Sequence, residues 1–304
     1  MVERQVRNLK VVSSSLIFST TMKRTIVSLI AAAAFCFAAV PSQGKIITDS
    51  LYSTILHTTV KYNVYLPEGY KDKGEKYPSI YLLHGLSGDH INWEKNSRMH
   101  EVADELMASG ECRKSVIFMP NAGGKDTHNI QNGYFNVQDW AYEDFFFKEF
   151  VPQVEKKYHC IADKEHRAVM GLSMGGGGST VYCIRHSDMF SSCYAMSAWL
   201  DTEVDENQPK DKLYITRESV HANSPFKLLE NVDKKTVQQL NTVHWFFDCG
   251  DDDGLLYYSV DLHRKYKELG INTELRVMNG IHNWEYWHRA LRDALAFASR
   301  NFGK

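Results

Sequence analysis

Short apolar runs alternate with amphipathic segments along most of the chain. Six runs are almost wholly apolar, which predicts strands covered on both faces. They lie at 77–85, 115–124, 166–172, 189–199, 242–250 and 273–280. Amphipathic helices are predicted between them, at 97–109, 142–158, after Ser173, at 255–269 and at 284–300. This order predicts one α/β domain, with helices on both faces of a mostly parallel sheet.

Two further segments frame this alternation. From Lys45 the pattern is strand-like through residues 53–67, "STILHTTVKYNVYLP", which are rich in Thr, Val and Tyr. Residues 201–241 are polar and interrupt the alternation, so we expect an excursion that lies over the sheet edge. Parallel sheets bind ligands beyond the carboxyl ends of their strands, and the residues that follow each strand are therefore the candidates for chemistry.

The N-terminal segment has the order of a secretory signal peptide. Two cations follow Met22, an apolar run covers 26–40, and small residues lead to Gly44. The run is shorter than the roughly 20 residues of a membrane span, although a membrane anchor stays the alternative. We therefore predict that 1–44 comprises an upstream extension and a signal peptide, and that 45–304 is exported to the periplasm or outside as one domain without a membrane span.

Charge and cysteine content exclude several classes of function. The formal net charge is −2 and no Lys/Arg cluster is present, so nucleic-acid binding has no electrostatic footprint. The cysteines are scattered, without a C-x-x-C pair or zinc-ligand spacing. The sequence therefore predicts neither a structural metal nor a disulfide framework, although export permits one or two disulfides.

The stretch "GLSMGGGGST" at 171–180 follows a predicted strand and opens a predicted helix. A nucleotide P-loop would need a lysine after its last glycine, and a dinucleotide-binding loop would need glycine where Thr180 stands. The pattern that fits is G-x-S-x-G, at Gly171, Ser173 and Gly175. Such a turn holds a serine in a strained conformation, and its flanking glycines leave room for crowded backbone. We therefore predict that Ser173 is a nucleophile.

A nucleophilic serine needs a base that is oriented by an acid, and in this architecture the order is Ser, Asp, His. His282 follows the last predicted strand and is the candidate base. The preceding strand ends in "FFDCGDDDGLL", where Asp253 is the favoured acid. Asp248 should still lie inside the strand, and Asp251 and Asp252 come too early in the turn.

An ester hydrolase also needs donors for the oxyanion. In such folds one donor is the backbone N–H of the residue after the nucleophile, and the other is a backbone N–H in the loop after an earlier strand. These positions are Met174 and, in "LLHGLSGD", Leu86. His84 in the same loop is expected to brace it and not to act as the base.

Six motifs, in order, resemble the esterase D and carbohydrate esterase family 1 group of the α/β-hydrolase superfamily, which includes feruloyl esterases, acetylxylan esterases and antigen 85-type acyltransferases. They are "YLLHGLSGDHINW", "MPNAGG", "YEDFFFKEFVPQVEKKY", "HRAVMGLSMGGGGS", "CGDDDGLL" and "GIHNWEYWHRAL". The similarity covers about residues 58–300. It implies Ser173 as nucleophile, Asp253 as acid and His282 as base, with Leu86 and Met174 as oxyanion donors. It implies acyl transfer through a covalent intermediate and no metal or organic cofactor.

Substrate choice is less determined by the sequence. Trp199 and Trp284 are candidates to contact a sugar or a phenolic acid, although each could equally be a packing aromatic. Export favours acetyl or feruloyl esters on an external, plant-type polysaccharide. The alternatives are small acyl or lipid esters, an S-formylglutathione hydrolase-like activity, transfer to another alcohol, and a carbohydrate-binding module on an inactive hydrolase fold.

Overall fold

The computed structural model describes residues 43–123, 132–205 and 207–303, which fall in one compact unit. The predicted signal peptide and the extension before it lie outside the described residues, apart from Gln43 and Gly44. In the described ranges, no helix is long and apolar enough to pass through a bilayer.

The sheet has eight strands in the order β1-β2-β4-β3-β7-β8-β9-β10. The strands are β1 (Lys45–Ser53), β2 (Thr58–Leu66), β3 (Ser79–Leu83), β4 (Val116–Pro120), β7 (Arg167–Leu172), β8 (Ser192–Met196), β9 (His244–Gly250) and β10 (Glu274–Met278). β1 and β2 pair antiparallel, as do β2 and β4, and the other neighbours pair parallel. A separate two-stranded ribbon consists of β5 (Asn136–Val137) and β6 (Trp140–Ala141).

The helices fill the connections between strands. They are α1 (Asn92–Ser97), α2 (Met99–Ser109), α3 (Tyr142–Phe145), α4 (Val151–Lys157), α5 (Met174–Arg185), α6 (Lys212–Ala222), α7 (Pro225–Leu228), α8 (Lys234–Leu240), α9 (Leu256–Leu269) and α10 (Trp284–Asn301). A π-helical segment, Phe146–Phe150, joins α3 to α4, and a 3₁₀ turn, Lys164–His166, precedes β7.

Alternation along the central strands divides the core into two layers. In β3, Tyr81 and Leu83 pack with the layer that contains α5 and α9, whereas Ile80 and Leu82 pack with α2 and α10. All five residues of β3 are buried, as expected of a strand that helices cover on both faces. The predicted α/β-hydrolase architecture, a mostly parallel sheet with helices on both faces, is therefore confirmed.

The N-terminal strand prediction was wrong in extent. The segment predicted as one strand at 53–67 contains a turn at 54–57, where His57 adopts a φ of 51°. Residues 45–53, which were predicted to be strand-like and continuous with 53–67, form the separate strand β1 and pair with β2 as a hairpin. β1 lies at the edge of the sheet and alternates between exposed and partly buried positions, so it lacks the continuous apolar signal of the central strands.

The excursion at 201–241 was predicted as irregular polar chain, and in the structure it forms helices that contribute to the core. It forms α6, α7 and α8, and α7 packs against α5 and α9, whereas the edge strands are β1 and β10. Leu229 and Leu240 are fully buried in the core layer on that face. The segment is polar on average, so the sequence did not reveal that these few apolar residues pack into the core.

Candidate active site

Ser173 occupies a sharp turn between β7 and α5. Its backbone has φ 53° and ψ −118°, which is a strained combination for a residue with a side chain. Two flanking hydrogen bonds hold the turn: the Ser173 N–H donates to the Met196 carbonyl at 2.9 Å, and the Ser173 carbonyl accepts from the Trp199 N–H at 2.9 Å. Neighbouring strand ends therefore fix the serine in place.

The glycines beside Ser173 are required by close backbone contact. A Cβ on Gly171 would lie 2.5 Å from the Gly175 carbonyl oxygen, and a Cβ on Gly175 would lie 2.5 Å from the Leu83 carbonyl oxygen. Both distances are far below van der Waals contact. Only glycine at these two positions lets the start of α5 approach both β7 and the end of β3.

The next glycines also pack closely: a Cβ on Gly176 would lie 3.0 Å from the Met196 carbonyl oxygen at the end of β8. A Cβ on Gly177 would lie 2.1 Å from the Trp199 carbonyl oxygen, and one on Gly178 would lie 2.8 Å from the Tyr134 ring. The segment that follows β8 and the buried Tyr134 thus take the space that side chains would fill. This packing offsets the low helix propensity of the glycine run.

Three side chains from separate loops lie in one hydrogen-bonded line. The His282 Nε2 is 3.0 Å from the Ser173 Oγ. On the other side of the ring, the His282 Nδ1 is 2.9 Å from Oδ2 and 3.1 Å from Oδ1 of Asp253. Because a carboxylate can only accept, Nδ1 carries the hydrogen and Nε2 is left to accept from the serine hydroxyl. The arrangement can move a proton from Ser173 to His282.

Asp253 is buried in a way that keeps it charged. Burial on its own raises the pKa of this carboxyl. Hydrogen bonds from His282, the Leu255 N–H and the Ser197 hydroxyl more than offset burial, so the pKa of Asp253 lies below its usual value. The Leu255 N–H donates to Oδ1 at 2.8 Å. At neutral pH the site therefore presents an anion to the imidazole.

The other aspartates near this turn have different surroundings. Asp248 lies inside β9, as predicted, and is fully buried with hydrogen bonds from Tyr194 at 2.6 Å, from Arg276 at 2.5 Å and from Tyr286. Asp251 accepts from the Gly280 N–H at 2.8 Å, and Asp252 is exposed. Among the four candidates, the structure brings the Asp253 carboxylate to the imidazole.

The two predicted oxyanion donors lie on either side of Ser173. Met174 is the first residue of α5, and the N–H groups in the first turn of a helix have no intrahelical partner. Leu86 follows Gly85, where a Cβ would come within 3.3 Å of the Ser173 Cβ. Leu86 and Ser173 both line the same cleft. The loop after β3 thus lies directly beside the serine.

His84 braces this loop, as its sequence position suggested. The ring is buried, and burial lowers its pKa to about 4, so it is neutral at physiological pH. The His84 Nε2 accepts from the Ala122 N–H at 3.0 Å, which leaves the hydrogen on Nδ1 to donate to the Gly85 carbonyl at 2.8 Å. The Tyr134 hydroxyl donates to the His84 carbonyl at 2.7 Å. These bonds fix the backbone on which Leu86 is carried.

A cleft of about 570 Å³ opens above the serine. Its lining residues are Gly85, Leu86, Ser87, Gly88, Asn92, Leu172, Ser173, Trp199, His282, Asn283, Trp284 and Trp287. Trp199 and Trp284, the two predicted substrate contacts, are each partly buried and both line it. The indole of Trp284 makes edge contacts with Trp93 at 5.5 Å and with Trp287 at 5.2 Å. One wall of the cleft is therefore aromatic.

Sequence reasoning missed three residues around the site. Trp287 lines the cleft one helical turn after Trp284, a spacing that could have identified it. Ser197 follows β8 and accepts a hydrogen bond from the Trp287 indole N–H at 3.1 Å, and its place at a strand carboxyl end could have identified it. Tyr134 carried no sequence signal, because its contact with His84 joins positions that are 50 residues apart.

The known proteins that this chain resembles are esterases. A family model described as putative esterase matches residues 53–298. The solved structure of a ferulic acid esterase is 43% identical, with a TM-score of 0.81, and the match covers 86% of this chain and 99% of that one.

Two curated relatives extend the comparison. The endo-1,4-beta-xylanase/feruloyl esterase of Xylanibacter ruminicola is 31% identical over 157 residues, which are 50% of this chain. The chain spans only 21% of the length of that relative. The acetyl esterase of Caldicellulosiruptor saccharolyticus is 23% identical over 269 residues, 83% of this chain and 97% of that protein. The names of these relatives all include an esterase activity.

Proposed function

The chain belongs to the esterase family, a family of carboxylic ester hydrolases with the α/β-hydrolase fold, and on that premise we propose that it is a serine esterase in which Ser173, His282 and Asp253 form the catalytic triad. The observation that carries the proposal is the hydrogen-bonded line from the Ser173 hydroxyl through the imidazole to the Asp253 carboxylate. A binding module on an inactive hydrolase fold would have no need for this complete line.

The geometry supports acyl transfer in two steps. The His282 Nε2, at 3.0 Å from the Ser173 Oγ, takes the hydroxyl proton as the oxygen attacks the ester carbonyl. The N–H groups of Leu86 and Met174 hold the developing oxyanion, and His282 returns the proton to the leaving alcohol. Water then repeats the sequence on the acyl-enzyme, which releases the acid and frees Ser173.

Asp253 has two tasks in this scheme. Its acceptor oxygens keep the hydrogen of the imidazole on Nδ1, so that Nε2 is free to accept the serine proton. Its charge then stabilises the imidazolium that forms. The hydrogen bonds to Asp253 keep its pKa below the usual value, which ensures that the carboxylate is charged at neutral pH.

For the substrate, we propose an acetyl or feruloyl ester of a plant-type polysaccharide. Trp199 and Trp284, which both line the cleft, support this class, because indole faces pack well against phenolic rings and sugar C–H faces. The relatives named feruloyl esterase and acetyl esterase support the two acyl groups. The signal-peptide pattern before Gly44 supports export to where such polymers are found.

The first experiment compares wild type with Ser173→Ala on p-nitrophenyl acetate. We expect the variant to lose nearly all turnover while it keeps its thermal unfolding temperature, since the change removes only the hydroxyl. Ser179→Ala is a matched control, because its buried hydroxyl donates within α5 to the Gly175 carbonyl at 2.7 Å and does not face the cleft. Persistent turnover in purified Ser173→Ala would refute the triad.

A second experiment determines the substrate. Release of acid from acetylated xylan, feruloylated arabinoxylan and tributyrin is measured with the same enzyme under the same conditions. We expect kcat/KM on one of the two polysaccharide esters to exceed that on tributyrin by at least about tenfold, which is about 1.4 kcal/mol of selective transition-state binding. A preference for tributyrin would instead assign the enzyme to small acyl or lipid esters.

A further inference from the structure

Tyr286 is a fully buried tyrosine in the first turn of α10, shortly after His282 in the chain. Its hydroxyl donates to Oδ1 of Asp248, which is a fully buried carboxylate inside β9. A hydrogen bond to a charged group contributes more to stability than a neutral one, and its loss leaves a buried charge short of a donor. Tyr286 is therefore bound firmly to the strand that leads into the turn with Asp253.

The loop 279–283, here called the base loop, carries His282 between two residues that both contact Tyr286. On one side, a Cβ on Gly280 would clash with the Tyr286 ring, so the glycine backbone lies directly against that ring. On the other side, the Asn283 Oδ1 accepts from the Tyr286 N–H at 3.0 Å and caps α10. The backbone before and after the imidazole is therefore supported by one tyrosine.

The base loop is also bonded to the turn at 250–255, here called the acid turn, which carries Asp253. The Asp252 N–H donates to the Gly280 carbonyl at 3.0 Å. A Cβ on Gly250 would clash with the same carbonyl oxygen, so the two backbones are in direct contact. A shift of Gly280 would therefore change the position of the imidazole relative to the Asp253 carboxylate.

Asp248, to which the Tyr286 hydroxyl bonds, is itself held by neighbouring strands. Its Oδ2 accepts from the Tyr194 hydroxyl in β8 at 2.6 Å and from Arg276 in β10 at 2.5 Å. Arg276 also pairs with Asp293 of α10 at 2.7 Å. The carboxylate is thus a fixed point within the sheet, and Tyr286 connects it to the base loop.

We propose that Tyr286 is a positioning residue that holds the base loop against the acid turn and so keeps His282 in line between Ser173 and Asp253. The inference rests on the proposed triad and adds a support behind it. A catalytic geometry has to be held within about 0.5 Å, by side chains that are themselves fixed by packing and hydrogen bonds. Tyr286 meets this requirement, because its ring packs on the loop and its hydroxyl is bound to Asp248.

The test compares Tyr286→Phe with wild type on p-nitrophenyl acetate. Phenylalanine keeps a ring beside Gly280 but removes the hydroxyl that fixes the ring on Asp248. We expect kcat to fall about fivefold to tenfold with KM nearly unchanged, because a displacement of about 1 Å at a catalytic group can cost about 100-fold. An unchanged kcat would overturn the proposal.

Tyr194→Phe is the matched control, because it removes a hydroxyl from the other oxygen of the same carboxylate. Tyr194 lies in β8, and its ring packs against Phe246 and Phe297. Both variants should unfold at a lower temperature, since each leaves the buried charge with one donor fewer. Well below both unfolding temperatures, Tyr194→Phe should keep kcat within about twofold of wild type. An equal loss of kcat in the two variants would contradict the positioning role.

A double variant gives a readout that a merely structural role would not move. If Tyr286 acts by aligning His282 with Asp253, its loss should matter little once that alignment has been removed. In the Asp253→Asn background, adding Tyr286→Phe should therefore lower kcat by less than about twofold, although it still lowers the unfolding temperature. If the further loss equalled that of Tyr286→Phe alone, the two residues would act independently and the inference would fail.

Gly280→Ala keeps the proposal testable if Tyr286→Phe folds poorly. Its Cβ would enter the contact with the Tyr286 ring, so the base loop has to move and kcat should fall severalfold. Gly254→Ala is the control, because a Cβ there would meet no atom within 4 Å. The same kcat in both glycine variants would refute the role of the contact.

Ser173→Ala is measured in the same series, so that failure of this inference can be separated from failure of the proposed function. If Ser173→Ala is inactive but Tyr286→Phe behaves as wild type, only this inference fails. If Ser173→Ala stays active, the proposed triad itself fails.

Discussion

Replacing Asp253 with asparagine tests the proposed acid with almost no change in shape. Asparagine keeps one oxygen but replaces the other with an NH₂ donor. The His282 Nδ1 lies 2.9 Å and 3.1 Å from the two carboxylate oxygens, so either orientation of the amide leaves its NH₂ close to the imidazole. An NH₂ group that faces Nδ1 favours the tautomer with its hydrogen on Nε2. In that tautomer His282 cannot accept the Ser173 proton.

The size of the effect follows from the contacts of Asp253. The Leu255 N–H needs an acceptor, so it favours the amide orientation with its oxygen toward Leu255 and its NH₂ toward the imidazole. The same substitution in the Ser-His-Asp template of serine proteases lowers kcat by about 10⁴-fold. We expect a fall of about 10³- to 10⁴-fold here, equivalent to about 4 to 5.4 kcal/mol of activation free energy.

The assay is steady-state hydrolysis of p-nitrophenyl acetate, with Asp251→Asn and Asp252→Asn as matched controls in the same turn. Asp251 accepts from the Gly280 N–H, a bond that an asparagine oxygen can keep, and Asp252 is exposed. Both controls should lose less than about threefold, since surface changes of this kind alter little free energy. If either control lost more activity than Asp253→Asn, the acid would have to be reassigned and the geometric argument would be refuted.

Three further substitutions test other parts of the account. Gly177→Ala places a Cβ 2.1 Å from the Trp199 carbonyl oxygen, so urea denaturation should show a loss of about 1 to 3 kcal/mol. Tyr134→Phe leaves the His84 carbonyl without its hydroxyl donor, and kcat should fall severalfold with a lower unfolding temperature, whereas an unchanged kcat would exclude a role for this brace. Burial of Asp49 alone would raise its pKa. Hydrogen bonds from the Lys157 ammonium and the Tyr158 and Tyr62 hydroxyls outweigh burial, so the pKa lies below its usual range. Its stabilising effect is therefore complete above about pH 4 and is lost gradually as pH falls through the lowered pKa, so Asp49→Asn should destabilise the protein most at pH 7 and by a smaller amount at pH 3.

The sequence predicted the central sheet well because buried parallel strands have a strong signal. β3 and β7 are continuous apolar runs, and each lies within its predicted limits. The segment from Lys45 was predicted to be strand-like, but the turn at 54–57 that separates β1 from β2 was missed. The three helices at 201–241 were missed because the segment is polar on average. Its few buried apolar residues, such as Leu229, gave no clear periodic pattern.

The residues of the candidate site also differ in how well the sequence predicted them. Residues on strand ends, including Ser173 and His282, could be located because topology brings strand ends to one edge. The choice of Asp253 from a run of three aspartates depended on counting residues past the strand, and the structure places that carboxylate against the imidazole. Supporting residues such as Tyr134 could not be assigned in this way, because their role depends on side-chain directions set by the three-dimensional packing.

The central claim is that Ser173 is a nucleophile activated by its neighbours in the folded chain. Labelling with a fluorophosphonate probe, followed by mass spectrometry of the peptides, tests it most directly. The account predicts one covalent adduct on Ser173, absent in Ser173→Ala and formed far more slowly in His282→Ala. An adduct on a different residue, or no adduct on the folded wild-type protein, would contradict it.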